Sequence, residues 1–182
     1  MPMSKLADLC ALAAILLAAC ATQSSDPSPG RAPGFGQTAT AAQIAAWDIS
    51  IPPSGAGLPA GSGDARAGAK VYVAQCQSCH GLKGVGKPID ALVGGNGTLA
   101  SSAPVRAVGS YWPYATTLFD YIRRAMPTTA PGSLTNDDVY AVTAYVLHLN
   151  GIIDEAQPMS AKTLAAVKMP NRSGFVDYSK AR

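Results

Sequence analysis

The sequence predicts an all-α fold built from a few helices that are joined by long irregular segments. Apolar side chains recur at helical spacing over residues 65–76, 115–126 and 134–149. Asp64 precedes the first of these stretches and Thr135 lies at the start of the third, and both are residue types that cap helix N-termini. The 182 residues include 18 glycines and 14 prolines, which favour irregular chain between the helices. This length predicts one domain with extensions.

The charge of the chain is too mild to indicate a nucleic-acid partner. The formal net charge is +3, and charged residues make up only 14% of the sequence. Domains that bind nucleic acid carry a strong excess of Lys and Arg on one face. We therefore expect no nucleic-acid partner.

Residues 1–20 are typical of an export signal. Lys5 lies near the start, residues 9–19 are apolar, and this run is too short to span a bilayer. Two processing sites compete in the same residues. Leu17-Ala18-Ala19-Cys20 resembles the lipobox of bacterial lipoproteins, in which Cys20 becomes a lipidated membrane anchor, whereas Ala19-Cys20-Ala21 matches a cleavage site that releases a soluble protein. Both alternatives place the mature chain in an oxidising compartment, the periplasm.

Residues 21–46 are predicted to be a flexible linker, and residues 47–63 an N-terminal extension of the domain. The linker is rich in Ser, Pro, Gly and Ala and shows no hydrophobic period, although residues 41–47 could form a turn or two of helix. Pro52-Pro53 and a run of Gly and Pro interrupt the extension. We expect Trp47 to pack against the domain and so to attach the extension to it.

The first and third helices are predicted to cross closely. Gly68, Tyr72 and Cys76 recur at steps of four on one face of the first helix, and a glycine on that face permits the close approach of another helix. The third helix carries an apolar stripe on one face. Its start pairs Thr135 with the acidic Asp138 three residues later, which is the pattern of a capping box.

The middle helix is predicted to end before Pro127, which cannot continue it. Its apolar face is formed by Leu118, Ile122, Ala125 and Met126, and its polar face by Asp120, Arg123 and Arg124. Two interpretations of the arginines stay open: they dock a partner protein, or they form a solvated helix face.

The motif Cys76-Gln77-Ser78-Cys79-His80 has the spacing of a covalent haem attachment site. Two thiols on one helical turn can each add to a haem vinyl group, and the next residue, His80, can then supply a ligand to the iron. A zinc site is disfavoured because only His80, His148 and two N-terminal cysteines remain as ligands, and no second pair has zinc spacing. A redox dithiol is disfavoured because a helix, not a strand, precedes the motif.

These residues resemble the class I c-type cytochromes. In that family a glycine eight residues before the first haem cysteine and an aromatic residue four before it pack against an aromatic residue of the last helix; Gly68, Tyr72 and Tyr145 match those places. The resemblance implies a class I cytochrome c fold over residues 64–151, with one haem c bound covalently to Cys76 and Cys79.

The resemblance also implies the axial ligands of the haem iron. His80 would be the proximal ligand, and Met126 of the Met-Pro end of the middle helix would be the distal one. From the sequence of the loop after the motif we also expect the carbonyl of Pro88 to accept a hydrogen bond from the ring N–H of His80. Three other side chains compete for the distal position, namely Met169, Met159 and His148.

A closer resemblance covers about residues 47–178, most clearly residues 109–153 and 167–176. These stretches are similar to the cytochrome subunit of Sox sulfane dehydrogenases and of related sulfite dehydrogenases. The resemblance implies an electron-transfer subunit without catalytic residues that accepts electrons from a molybdopterin sulfite-oxidase-like subunit and passes them to a downstream cytochrome or oxidase. Longer members carry a second haem, whereas this chain has one such motif. Residues 152–182 are expected to pack on the domain as a C-terminal extension.

Two other functions stay open. One is a general periplasmic carrier between a quinol-oxidising complex and a terminal oxidase. The other is a haem enzyme or gas sensor with an open sixth position, which a bound Met126 would exclude.

Overall fold

The structure is a computed structural model that describes residues 36–180. The predicted export signal with Cys20 and the first part of the linker lie outside the described residues. The chain divides into two units that meet in the sequence between Ile44 and Ala45. No helix among the described residues combines the length and the apolar character needed to cross a membrane.

Nearly all of the regular secondary structure in the described residues is helical, and the prediction of an all-α fold is confirmed. The helices are α1 Ala41–Trp47, α2 Ala65–Gln75, α3 Gln77–His80, α4 Val108–Tyr111, α5 Ala115–Ala125, α6 Asn136–Leu149 and α7 Ala161–Leu164, with 3-10 turns at Leu82–Gly84 and Tyr178–Lys180. The strands β1 Ser62–Gly63 and β2 Met159–Ser160 form an antiparallel pair in which Ser62 lies opposite Ser160.

Helices α2 and α6 begin at the predicted caps. The Asp64 carboxylate accepts a hydrogen bond from the Ala67 amide at 2.9 Å. The Thr135 hydroxyl accepts from the Asp138 amide at 3.1 Å and donates to the Asp138 carboxylate at 2.7 Å. These side chains pair amides that the first turn of a helix leaves free.

The predicted close crossing of α2 and α6 is present. A Cβ atom at Gly68 would lie 1.9 Å from the carbonyl oxygen of Ala141, so only glycine permits this approach. Farther along the two helices, the rings of Tyr72 and Tyr145 are in tilted contact, with centroids 5.2 Å apart. This contact joins the two aromatic positions of the sequence pattern. It fixes the C-terminal end of α2, and so the position of the motif that follows.

The core lies between α2, α5, α6 and the chain after α6. Phe119 of α5 and Tyr140 of α6 are fully buried, and their ring centroids are 4.4 Å apart. Met159, Leu164 and Met169 from the region after α6 are also buried in this core. These buried side chains therefore complete the core of the domain.

Residues 49–62, which we call the strap, lie along α5 and α6 and are held mainly by their backbone. Ile51 is buried in the core, and its amide donates to the Asp120 carboxylate at 2.8 Å. Further bonds join Arg123 to the Ile49 carbonyl, Thr116 to the Pro53 carbonyl, Tyr140 to the Pro59 carbonyl, Asn136 to the Ala60 carbonyl and the Ser62 amide to Asp137. In each bond a domain side chain contacts the strap backbone.

One expectation about this region is wrong. Trp47 is 87% exposed and does not attach the extension to the domain, whereas Ile51 is buried in the core. Asp120, on the predicted polar face of α5, is buried because the strap covers it. Burial alone raises the pKa of the Asp120 carboxyl, but hydrogen bonds from Arg124 and from the Ile51 amide outweigh it and lower that pKa. Arg124 bonds Asp120 through Nε at 2.9 Å.

Candidate haem site

The motif of two cysteines and a histidine lies where α2 ends and the single turn α3 begins. Cys76 is the C-cap of α2 and the N-cap of α3, and its amide donates to the Tyr72 carbonyl at 2.9 Å. The His80 amide donates to the Cys76 carbonyl at 3.0 Å. Because residues three apart on a helical turn share a face, the Cys76 and Cys79 side chains can reach one ligand together. Both are free thiols.

Cys76 is the more buried thiol of the pair. Burial and the neighbouring Cys79 raise the pKa of the Cys76 thiol to about 11. Before haem attachment, Cys76 is therefore a neutral thiol at neutral pH, the less nucleophilic form.

The His80 ring is oriented by a backbone carbonyl. Its Nδ1 lies 3.0 Å from the carbonyl oxygen of Asp90. A carbonyl only accepts, so Nδ1 carries the proton and Nε2 keeps the lone pair that an iron ligand requires. The sequence prediction placed this carbonyl at Pro88 and is wrong by two residues. The Ile89 amide bonds to the Cys79 carbonyl at 3.0 Å, so the residue after Ile89 presents its carbonyl to the ring.

The loop after the motif is folded back on it by further hydrogen bonds. The Tyr72 hydroxyl donates to the Gly81 carbonyl at 2.8 Å, and the Gly86 amide donates to the His80 carbonyl at 2.8 Å. Burial, with a smaller contribution from Cys76, raises the pKa of the Tyr72 hydroxyl to about 12, so it stays a donor. Gly81 has φ +74°, and a Cβ there would lie 2.3 Å from the Gly86 carbonyl oxygen.

Several apolar side chains near the motif are exposed. Leu82 is 66% exposed and Val85 68% exposed, and Ile89 and Val105 on the same long loop are also exposed. Exposed apolar side chains on one loop are typical of a segment that a ligand or a partner covers. Together with two free thiols and a histidine whose Nε2 is available, they fit a covalently attached haem.

Met126 terminates α5 as predicted. Its amide donates to the Ile122 carbonyl at 3.1 Å, and its side chain is half-buried against the core. The competing methionines, Met159 and Met169, are fully buried among core residues, at 0% and 3% exposed. His148 has its Nδ1 3.3 Å from the Ile153 carbonyl oxygen. The assignment of Cys76, Cys79, His80 and Met126 to the haem stays a prediction.

The arginines next to Met126 contact the protein itself. Arg124 pairs with Asp120, and Arg123 donates to the Ile49 carbonyl at 3.2 Å. Neither open interpretation had included this role, because the sequence does not show that the strap lies on α5. Within residues 36–180, no cluster of three or more His, Cys, Asp or Glu side chains could hold a separate metal ion.

Comparison with known proteins identifies relatives for most of the chain. The family model described as cytochrome c oxidase, cbb3-type, subunit III, matches residues 63–146. A chain in the crystal structure of the sulfane dehydrogenase SoxCD from Paracoccus pantotrophus is 37% identical, with a TM-score of 0.74. That match covers 83% of this chain and 76% of the other. No curated protein sequence matches this chain.

Proposed function

The chain belongs to the class I c-type cytochromes and is an electron carrier with one covalent haem c, and we propose that it accepts electrons from a molybdenum-containing sulfane or sulfite dehydrogenase subunit. The observation that carries the proposal is the 37% identity, over 83% of this chain, to a chain of the SoxCD sulfane dehydrogenase. In the family that the sequence resembles, the cytochrome subunit is reduced by a molybdopterin partner and reoxidised by a downstream cytochrome or oxidase.

The residues of the site suit electron transfer rather than catalysis. When bound, the haem supplies a one-electron couple between ferrous and ferric iron. In our assignment Cys76 and Cys79 hold the haem through thioethers, and His80 and Met126 ligate the iron. A thioether ligand raises the reduction potential and fills the position at which a small molecule would bind. The assignment therefore argues against a haem enzyme or gas sensor.

We further propose that the protein works in the periplasm and is anchored there through lipidated Cys20. The support is the sequence of residues 1–20 alone. Covalent haem attachment in this family takes place on the export side of the membrane, which agrees with an export signal.

A second candidate function has an observation of its own. The matching family model is named for a subunit of a cbb3-type oxidase, which favours a general carrier that delivers electrons to a terminal oxidase. The two candidates differ in the electron donor, not in the chemistry of the haem.

Rapid-mixing reduction of the oxidised holoprotein separates the candidates. The donors are a purified molybdopterin sulfite-oxidase-like subunit from the same organism, supplied with sulfite or a sulfane substrate, and a quinol-oxidising membrane fraction supplied with quinol. We expect the molybdenum subunit to reduce the haem within its own turnover time. Reduction by the quinol-oxidising fraction alone would establish the general carrier instead.

A further inference from the structure

One buried side-chain amide connects the last core helix to the loop that orients His80. Asn150 caps the C-terminus of α6 and is 9% exposed. Its Nδ2 atom donates to the Val146 carbonyl at 2.8 Å and to the Leu92 carbonyl at 3.1 Å. Leu92 lies two residues after Asp90, whose carbonyl oxygen is 3.0 Å from Nδ1 of His80. The amide therefore holds the loop close to its contact with the histidine.

The orientation of the Asn150 amide follows from its neighbours. Both groups near Nδ2 are carbonyl oxygens, which accept only, so the NH₂ end must face them. The Oδ1 end then faces Gly109, where a Cβ would lie 2.4 Å from it, and it finds no donor within residues 36–180. A buried acceptor without a donor is unfavourable. An apolar side chain would avoid that penalty, so the useful part of Asn150 is its donor.

Leu92 is a junction between three parts of the domain. Its carbonyl also accepts from the Val108 amide of α4 at 3.2 Å, and its own amide donates to the Gly84 carbonyl at 2.8 Å. Among the described residues, this bond from Asn150 joins the C-terminal cap of α6 to the segment 81–107. Without it, α6 would contact this segment through apolar packing only, which fixes position but not the direction of a carbonyl.

We propose that Asn150 is a positioning residue for the proximal ligand: by holding Leu92 it keeps the Asp90 carbonyl aligned with the Nδ1–H group of His80. The inference rests on the assignment of His80 as an iron ligand in the proposed function. A hydrogen bond from Nδ1–H makes the imidazole a stronger ligand and fixes its ring plane. A stronger donor to iron favours the ferric form, so Asn150 lowers the reduction potential of the haem.

The test compares two variants that lack the donor. Asn150→Ala removes the side chain, whereas Asn150→Leu keeps its approximate size and presents no donor to the two carbonyls. The reduction potential is measured by voltammetry of the holoprotein, and exchange of the His80 Nδ1 proton by NMR of the reduced protein. We expect a more positive potential and proton exchange about fivefold faster in both variants, the factor for losing one ordinary hydrogen bond.

Two further variants separate positioning from stability. Val142→Ala lies on α6, is 1% exposed and makes no side-chain hydrogen bond, so it should destabilise the protein and leave both measured quantities unchanged. Gly109→Ala should push on Oδ1 of Asn150 and shift both quantities in the same direction as Asn150→Ala. It keeps the proposal testable if Asn150→Ala does not fold.

Wild-type potential and exchange rate in a folded variant that lacks the donor would overturn the role of Asn150. If the NMR spectrum of the wild-type holoprotein shows no signal from an iron-bound histidine, the assignment of His80 is overturned instead. If the Asn150 variants shift the potential and the exchange rate as expected but the molybdenum subunit reduces the haem slowly, only the proposed electron donor is overturned. The three failures are therefore distinguishable.

Discussion

Replacing Gly68 with alanine tests the helix crossing on which the whole site depends. The new Cβ would lie 1.9 Å from the carbonyl oxygen and 2.5 Å from the carbonyl carbon of Ala141, and 2.8 Å from the Cβ of Tyr145. An ordinary contact requires at least 3.4 Å, so α2 and α6 must separate by more than an ångström. The obstacle is mainly backbone, which cannot rotate away as a side chain can.

The magnitude follows from two opposing effects. Overpacking of this kind destabilises by about 1–3 kcal/mol, and a backbone obstacle places it at the upper end. Alanine is a better helix former than glycine by about 1 kcal/mol, which offsets part of the loss. We expect a net loss of roughly 2 kcal/mol in the free energy of unfolding. The melting temperature should then fall by roughly 5–10 °C.

Denaturant unfolding of the holoprotein, followed by circular dichroism, measures this loss as a lower midpoint at unchanged slope. Val73→Ala is the matched control, because Val73 lies on the same helix and is 60% exposed. Helix propensity alone predicts that Gly68→Ala stabilises the protein. A midpoint at or above the wild-type value would therefore refute the argument from close packing.

Three other outcomes are expected. Asp120→Asn should destabilise the protein by about 1–2 kcal/mol at neutral pH, since hydrogen bonds to a charged group are lost. Because folding lowers the pKa of Asp120, its carboxylate stabilises the protein fully above the unfolded pKa near 4 and less as the pH falls below that value. The stability difference between wild type and Asp120→Asn should therefore shrink in acid, and a difference that is constant with pH would contradict this. Met126→Ala should abolish the near-infrared sulfur-to-iron band of the oxidised protein while Met169→Ala keeps it, and the reverse pattern would reassign the ligand. Cys20→Ser should give a soluble or unprocessed form, and a mass spectrum showing an unmodified Thr22 N-terminus in the wild type would indicate the soluble form.

Local signals in the sequence predicted those parts of the fold that depend on neighbouring residues. The caps at Asp64 and Thr135 and the stop at Pro127 act within one helical turn, so their residue types suffice. Gly68 and Tyr72 were predicted as contacts because their spacing from Cys76 repeats a family pattern.

Residues whose role depends on distant chain were missed or misassigned. Asp120 matches the spacing of a solvated face, and nothing in its neighbours shows that Ile51, 69 positions away, will lie on it. The partner of His80 is Asp90 rather than the predicted Pro88, because the path of the loop decides which carbonyl faces the ring. Asn150, followed by a glycine at a helix end, has the pattern of an ordinary cap, and its contact with Leu92 spans 58 positions. A contact between residues so far apart in the sequence leaves no pattern among neighbouring residues.

The strap has a consequence for how its sequence can vary. Domain side chains bind the main chain of residues 49–62, through carbonyls of residues such as Pro53 and Pro59 and the amide of Ile51. Every amino acid supplies a carbonyl, and every one except proline supplies an amide. Mutational constraint should therefore concentrate on the recognising residues, such as Asp120 and Tyr140. Within the strap it should be confined to the buried Ile51 and to Gly55, Gly57 and Gly61, whose φ angles are positive. The exposed strap positions are accordingly suitable for a spectroscopic label that leaves the core unchanged.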